Sequence, residues 1–243
     1  MKTILATGML CALVAVGAAA QQAPAIPAFS TAKAGGALPG EWRHIPLASF
    51  KNSTDYLLVV EDNTVVVRAM AHNSASLLGL QTDFDPHRFP MLTWKWKVAQ
   101  GIPSASSAEQ AKEDAPVRLM VAFGGDNSKL SFKDRFAASA AQTISGQQLP
   151  YAELMYIWGS KVALDSITVS SRSARVRMIA VAVDDQGIGR WQTYTRNLVE
   201  DFKRAFGEEP GNVTSIQLMT DTDNTQADAQ AYYGDVSVSA VKP

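Results

Sequence analysis

Between Tyr56 and Leu80 the chain reads YLLVVEDNTVVVRAMAHNSASLLGL. Two runs rich in β-branched and aliphatic residues, Tyr56–Val60 and Thr64–Ala71, are split by Asp62-Asn63, and a third run, Ser74–Leu80, follows a short polar break. Asp and Asn suit a tight hairpin turn, so the first two runs read as paired strands. Outward from this stretch the same pattern recurs at Met91–Val98, Pro116–Phe123, Tyr151–Trp158, Ala174–Val183, Val213–Met219 and Ala231–Val241. Short β-rich runs, frequent polar turns and few long helical patterns predict a mainly β fold, a single jelly-roll-like β-sandwich.

Two short helices are expected to pack on it. Ser131-Phe132-Lys133-Asp134 has capping-box spacing, and an Ala-rich segment follows to about Ile144. In the second, Asn197 is a cap, Glu200 and Asp201 occupy the first turn, Lys203 and Arg204 the last, and Gly207 stops it. Leu198, Phe202 and Phe206 form one apolar stripe for burial against the sheet. Gln100–Asp114 is polar, contains Pro103 and has no apolar period; it predicts a long mobile loop of the kind that often carries function.

The N-terminus has another character. Lys2, the apolar stretch Ile4–Val16 and Ala18-Ala19-Ala20 predict a cleavable signal peptide over residues 1–20 and a periplasmic product. The apolar stretch is shorter than the roughly 18–20 residues that span a bilayer. The only cysteine, Cys11, falls inside it, so the mature chain relies on a core and not on disulfides. Residues 21–39, rich in Ala, Pro and Gly, predict a flexible leader, which leaves residues 40–243 as one domain. Without Lys2 the chain has 21 basic against 23 acidic side chains, a net charge of −2. That balance argues against nucleic acid as a partner, and no second apolar stretch argues for membrane insertion.

Chemistry-bearing residues concentrate near the C-terminus, where Thr220–Asp235 reads TDTDNTQADAQAYYGD. Counted from Asp221 as an EF-hand loop, the fifth, sixth and twelfth positions are Thr225, Gln226 and Tyr232, so the turn glycine and the bidentate glutamate are missing. A looser metal site from Asp221, Asp223, Asn224 and Asp235 stays open, with structural calcium as the only cofactor indicated. The competing reading is that these residues close turns through side-chain-to-backbone bonds. In a regular closing strand Tyr233, Asp235, Ser237 and Ser239 share a face, and Val241 breaks the parity, which predicts a bend or strand end near Ala240. Asp221 and Asp235 should then converge, compensated by a metal, by backbone donors or by Arg196, with Arg190 the weaker candidate.

Catalytic signatures are thin. The mature chain has no cysteine nucleophile, no G-x-S-x-G elbow and no H-E-x-x-H, and His44, His72 and His87 are scattered. Asp223 with Asp235 could form a glycosidase pair, a signal of low specificity in so acidic a loop. Enzyme status is left open, with binding favoured over catalysis. Trp94 and Trp96 share a strand face, as do Tyr156 and Trp158. With Arg196 and Tyr233 they form the candidate ligand-binding set, because a flat aromatic ring covers the apolar face of a sugar. The competing reading puts the tryptophans in the core and Lys95, Lys97, Arg175 and Arg177 on a solvated face.

Several stretches together resemble one family: Leu38-Pro39-Gly40 with Trp42, Ser74-Ala75-Ser76, Trp94-Lys95-Trp96, and YAELMYIWG at 151–159. Arg196-Asn197 with Glu200-Asp201, Ala205-Phe206-Gly207, TDTDNT at 220–225 and YYGD at 232–235 complete the set. The resemblance is to the exported bacterial family catalogued as domain of unknown function 3047, and it runs over nearly all of the mature chain. It implies a single exported domain and no activity. More distantly, the closing strand with its embedded Asp is similar to galactose-binding-like β-sandwiches, a likeness that implies sugar or structural calcium. The leading expectation is a non-catalytic module that binds a glycan or another small polar ligand. The alternatives are a carboxylate-dependent glycoside hydrolase and a structural envelope protein without a ligand.

Overall fold

In the computed structural model, which describes residues 23–136, 149–170, 173–183 and 187–241, Asp62 and Asn63 both adopt positive φ (48° and 60°). They close a two-residue hairpin between β2 (Asp55–Glu61) and β3 (Thr64–His72). The other strands are β1 (Arg43–Pro46), β4 (Ala75–Phe84), β5 (Met91–Gln100), β6 (Ala115–Phe123), β7 (Ala152–Gly159) and β8 (Ile167–Val169). They are followed by β9 (Val176–Val183), β10 (Gln192–Asn197), β11 (Val213–Asp221) and β12 (Asp228–Ser239). One sheet has the order β1-β4-β11-β6-β7-β9-β8 and the other β10-β5-β12-β3-β2. All pairs are antiparallel except β7 with β9. The fold is a β-sandwich.

Strand periodicity decides which side chains fill the space between the sheets. From the seven-stranded sheet come Leu78, Leu80, Ile216, Leu218, Val117, Leu119, Val121, Leu154, Tyr156 and Trp158. The five-stranded sheet contributes Val67, Ala69, Leu92, Trp94, Trp96, Val98, Ala231, Tyr233, Val236 and Val238. β12 is not regular. Tyr233 pairs with Trp96 but Val236 with Trp94, so Gly234 and Asp235 together oppose Lys95. The strand does end at Ser239 with a bend at Ala240, as expected, but the parity is already reset at this bulge: Tyr233 and Val236 both point inward while Ser237 is exposed. A Cβ on Gly234 would come within 2.4 Å of the Lys95 side chain, which is why the bulge has a glycine.

The helix Leu198–Phe206 has the expected ends: Asn197 Oδ1 accepts from Val199 N and Glu200 N, and Gly207 is left-handed at φ 72°. Phe202 is fully buried against Phe123, with ring centroids 4.7 Å apart, whereas Phe206 is half-buried beneath Arg175 and Arg177. In the first predicted helix, Asp134 N donates to Ser131 Oγ at 3.1 Å and residues 132–136 are helical. The rest of that prediction lies outside the described residues.

Two expectations are corrected. Residues 23–39 are anchored and not a free leader: Phe29 is 0% exposed against Trp42, and Trp42 Nε1 donates to Pro27 O. A large aromatic amid Ala and Pro supplies the burial that composition alone hides. The loop Gln100–Asp114 is also tied down. Ile102 and Ala105 are buried, Ser107 N donates to Ser160 O, and a 3-10 turn covers Gln110–Lys112.

Candidate functional site

At one end of the seven-stranded sheet β11 runs out at Asp221, and its turn folds back over the start of β6. Asp221 Oδ1 accepts from Arg118 Nε (2.9 Å) and Ala115 N (3.0 Å), and Oδ2 accepts from Arg118 Nη2 (3.1 Å). Arg118 is equally enclosed, between the sulfurs of Met155 and Met178. Burial pushes the Asp221 carboxyl above the usual carboxylate range, against the pull of Arg118 and Ala115 N. Burial also works against the Arg118 charge, yet Asp221 holds that guanidinium above its ordinary value.

Two more carboxylates close on this pair. Asp114 accepts from Asn224 N (3.2 Å), Thr225 N (2.7 Å) and Thr225 Oγ1 (2.6 Å), so it organises the turn after β11. Asp223 Oδ2 pairs with Lys51, while its Oδ1 is enclosed with no hydrogen-bond partner among the described residues. One oxygen from each of Asp114, Asp221 and Asp223 lies within 4.8 Å of the others. Asp114, which lies 107 positions before Asp221, was not anticipated; its place at the end of the polar loop was the available signal.

The remaining predicted ligands go elsewhere. The Asn224 amide donates to Gln110 O, and Asp235 accepts from Ser30 N (3.0 Å) and Ser30 Oγ (2.5 Å), holding the N-terminal segment. Arg196 does not reach this cluster; it forks onto Asp201 (2.7 and 2.5 Å), which also accepts from Tyr156 OH. Arg118 takes the compensating role expected of Arg196.

The predicted aromatic platform is corrected in the same way. Trp94, Trp96, Tyr156 and Tyr233 are at most 1% exposed and Trp158 is 4% exposed. Trp94 lies tilted against Tyr156 at 4.9 Å and stacked on Tyr194 at 5.3 Å, and Tyr233 OH donates to Met219 O. A ring in the sandwich core has no face to offer a sugar. The histidines stand apart, each with its own partner: His44 with Ser76, His72 with Asp228, His87 with Glu209.

An open groove lies instead on the outer side of the seven-stranded sheet. Gln81, Ser215 and Ala122 are cross-strand neighbours on β4, β11 and β6, and Gln217 lies one step along β11. With Ile45, Asn127 and Tyr151 they line a volume of about 580 Å³. Gln217 Nε2 donates to Ser215 Oγ (3.2 Å). Tyr151 is wedged against Gly125, where an added Cβ would come within 2.2 Å of the ring. These residues were not singled out from sequence, because outward glutamines on a strand look like any solvated face.

A family model described as "Protein of unknown function (DUF3047)" matches residues 40–237. No curated protein matches the sequence. Among solved structures, the K3 adhesin domain of Lys-gingipain from Porphyromonas gingivalis is 11% identical with a TM-score of 0.41, over 89% of this chain and 99% of that one. A cellulase derived from Cel12A of Rhodothermus marinus is 12% identical at 0.41, over 82% and 96%. The catalytic domain of Humicola grisea Cel12A is 11% identical at 0.42, over 79% and 88%. Likeness of this degree assigns neither adhesion nor cellulose hydrolysis to this chain. Among the described residues no helix is long and apolar enough to cross a membrane.

Proposed function

Because the chain belongs to the family described as "Protein of unknown function (DUF3047)", membership supplies no activity, and we propose from geometry that it is a non-catalytic β-sandwich module holding a glycan or other small polar ligand. The observation that carries this reading is the groove over β4, β11 and β6. Side-chain amides of Gln81, Gln217 and Asn127 can donate and accept in it, beside the apolar flanks of Ile45 and Tyr151. Such a mixture, apolar surface beside several convergent polar groups, can orient a hydroxyl-rich ligand. The hydrolase alternative has less support, since Asp221 is committed to Arg118 and Asp235 to Ser30. Export follows from Lys2, Ile4–Val16 and Ala18-Ala19-Ala20: we place the protein in the periplasm with residues 1–20 removed. A glycan-array and thermal-shift screen tests the groove. A hit that Gln217→Ala weakens supports it, and a hit indifferent to Gln217→Ala and Gln81→Ala refutes it.

The three carboxylates support a second reading, a structural calcium ion. Oxygens bound at about 2.4 Å on opposite sides of one calcium stand about 4.8 Å apart, the separation that Asp114, Asp221 and Asp223 stay within. Asp223 Oδ1 would gain in the ion the partner it otherwise lacks.

A further inference from the structure

The outer side of the five-stranded sheet alternates aromatic and basic residues in a single row. Leu57 pairs with Arg68, Arg68 with Tyr232, and Tyr232 with Lys97. Gln192 pairs with Trp96, which brings the preceding Trp191 alongside Lys97. Three inter-strand gaps separate Arg68 from Trp191, roughly 14 Å at about 4.8 Å each.

Within this row some charges are satisfied and others are not. Lys97 is 8% exposed and bonds to Glu61 and to Asp62 (2.9 Å), and its ammonium lies 5.5 Å from the Trp191 ring and 5.3 Å from Tyr232. Trp191 Nε1 donates to Asp62 Oδ2 at 2.9 Å, fixing the indole. Glu61 and Asp62 are thereby occupied, and Asp235 is held by Ser30. Arg68 remains, as does Lys95 beside the row, two residues along β5 from Lys97. Among the described residues neither meets a carboxylate, and Arg68 Nε is enclosed without an acceptor. The Lys95 ammonium stands 5.1 Å from the Trp191 centroid.

The geometry points to a binding site for an extended acidic oligosaccharide along Arg68, Tyr232, Lys95 and Trp191. Two cations without anions, one an arginine whose planar fork fits a carboxylate or sulfate, ask for a ligand that brings its own negative groups. Tyr232 and Trp191 offer apolar surface for sugar rings between those charges. The free cations are only two, Arg68 on the row and Lys95 two residues along β5 from Lys97, so they match a sparsely charged chain. Nucleic acid carries a charge every ~1.7 Å and would meet a protein whose net charge is −1. This site is independent of the groove on the opposite sheet.

Calorimetric titration of the protein with a galacturonate hexamer, against neutral cellohexaose, tests the inference. The acidic hexamer should bind about tenfold more tightly than the neutral one and weaken as salt rises. The pair Arg68→Gln and Lys95→Gln should lose about tenfold in affinity with an unchanged melting temperature, and Trp191→Ala should weaken binding independently of salt. Gln217→Ala, in the groove, should leave this binding unchanged, which separates failure here from failure of the groove reading. Equal binding of the two hexamers overturns the inference, as does indifference to the double substitution. Tighter binding to a single-stranded oligonucleotide or an anionic lipid vesicle does so too, as does absence of binding at millimolar hexamer.

Discussion

Arg118 Nε donates to Asp221 Oδ1 at 2.9 Å, with the two side chains 4% and 1% exposed. The pair joins β6 to the end of β11 on the outer side of the seven-stranded sheet, and Arg118 Nη2 also reaches Glu113 O at 2.5 Å. An enclosed ion pair is a weak net stabiliser, but removing one member leaves a buried charge alone. Arg118→Ala or Asp221→Ala should therefore destabilise by about 3–5 kcal/mol. Replacing both by apolar residues of similar volume should cost far less than the sum. Urea melts of the single and double variants check this; additive losses would contradict a coupled pair.

The N-terminal segment gives a second prediction. Phe29 is buried against Trp42, and Ser30 donates to Asp235 in the β12 bulge. Phe29→Ala should cost about 3–5 kcal/mol through a cavity, and Asp235→Ala about 0.5–1.5 kcal/mol through the lost hydrogen bonds to Ser30. Both loosen one contact, so the double variant should fall short of the sum. Hydrogen exchange at Ser30 N should rise in each.

The Asp62-Asn63 hairpin was legible because the left-handed turn is written in two adjacent residues, and the helix Leu198–Phe206 because Asn197 and Gly207 mark its ends. Trp94 and Trp96 were correctly placed on one strand face, but alternation does not say which face is inner. Gln192–Asn197 was not seen as a strand because QTYTRN has no apolar alternation; pairing with β5 makes it one. The register slip at Gly234-Asp235 was unreadable, since a bulge depends on the partner strand and not on local sequence. Arg118 and Asp114 were missed at the acidic cluster for a similar reason: the contacts join residues more than a hundred positions apart, and nothing beside Asp221 marks its partners.

Alkaline pH provides a third test. Burial raises the phenols of Tyr56, Tyr156 and Tyr233 above their ordinary value. A folded-state pKa above the unfolded one stabilises fully below the unfolded value, near 10, and that stability is lost as pH climbs toward the folded value. With three such phenols, stability should fall by about 4 kcal/mol for each pH unit above about 10. Phenolate absorbance from these three should appear together with loss of tertiary circular dichroism. Their ionisation near pH ~10 in a folded protein would contradict the packing around them.

The last prediction concerns Asp114, Asp221 and Asp223. Arg118 and Lys51 bring two positive charges to three carboxylates, and Asp223 Oδ1 is left enclosed and unpartnered. One negative charge in excess and one free oxygen suit a hard cation. Calcium at about a hundred times its dissociation constant should add about 2.7 kcal/mol of stability, read as a rise in melting temperature. Magnesium should do less, because it demands near-octahedral geometry at about 2.1 Å, which Asp221, anchored to Arg118, resists. Asp223→Asn should abolish the calcium response while leaving the Arg118–Asp221 pair intact. Asp114→Asn should abolish it as well, and its amide oxygen can still accept from Thr225 N. If calcium leaves the melting temperature unchanged and Asp223→Asn raises it, then Lys51 and Arg118 are the whole compensation, and relief of repulsion among the carboxylates accounts for the gain.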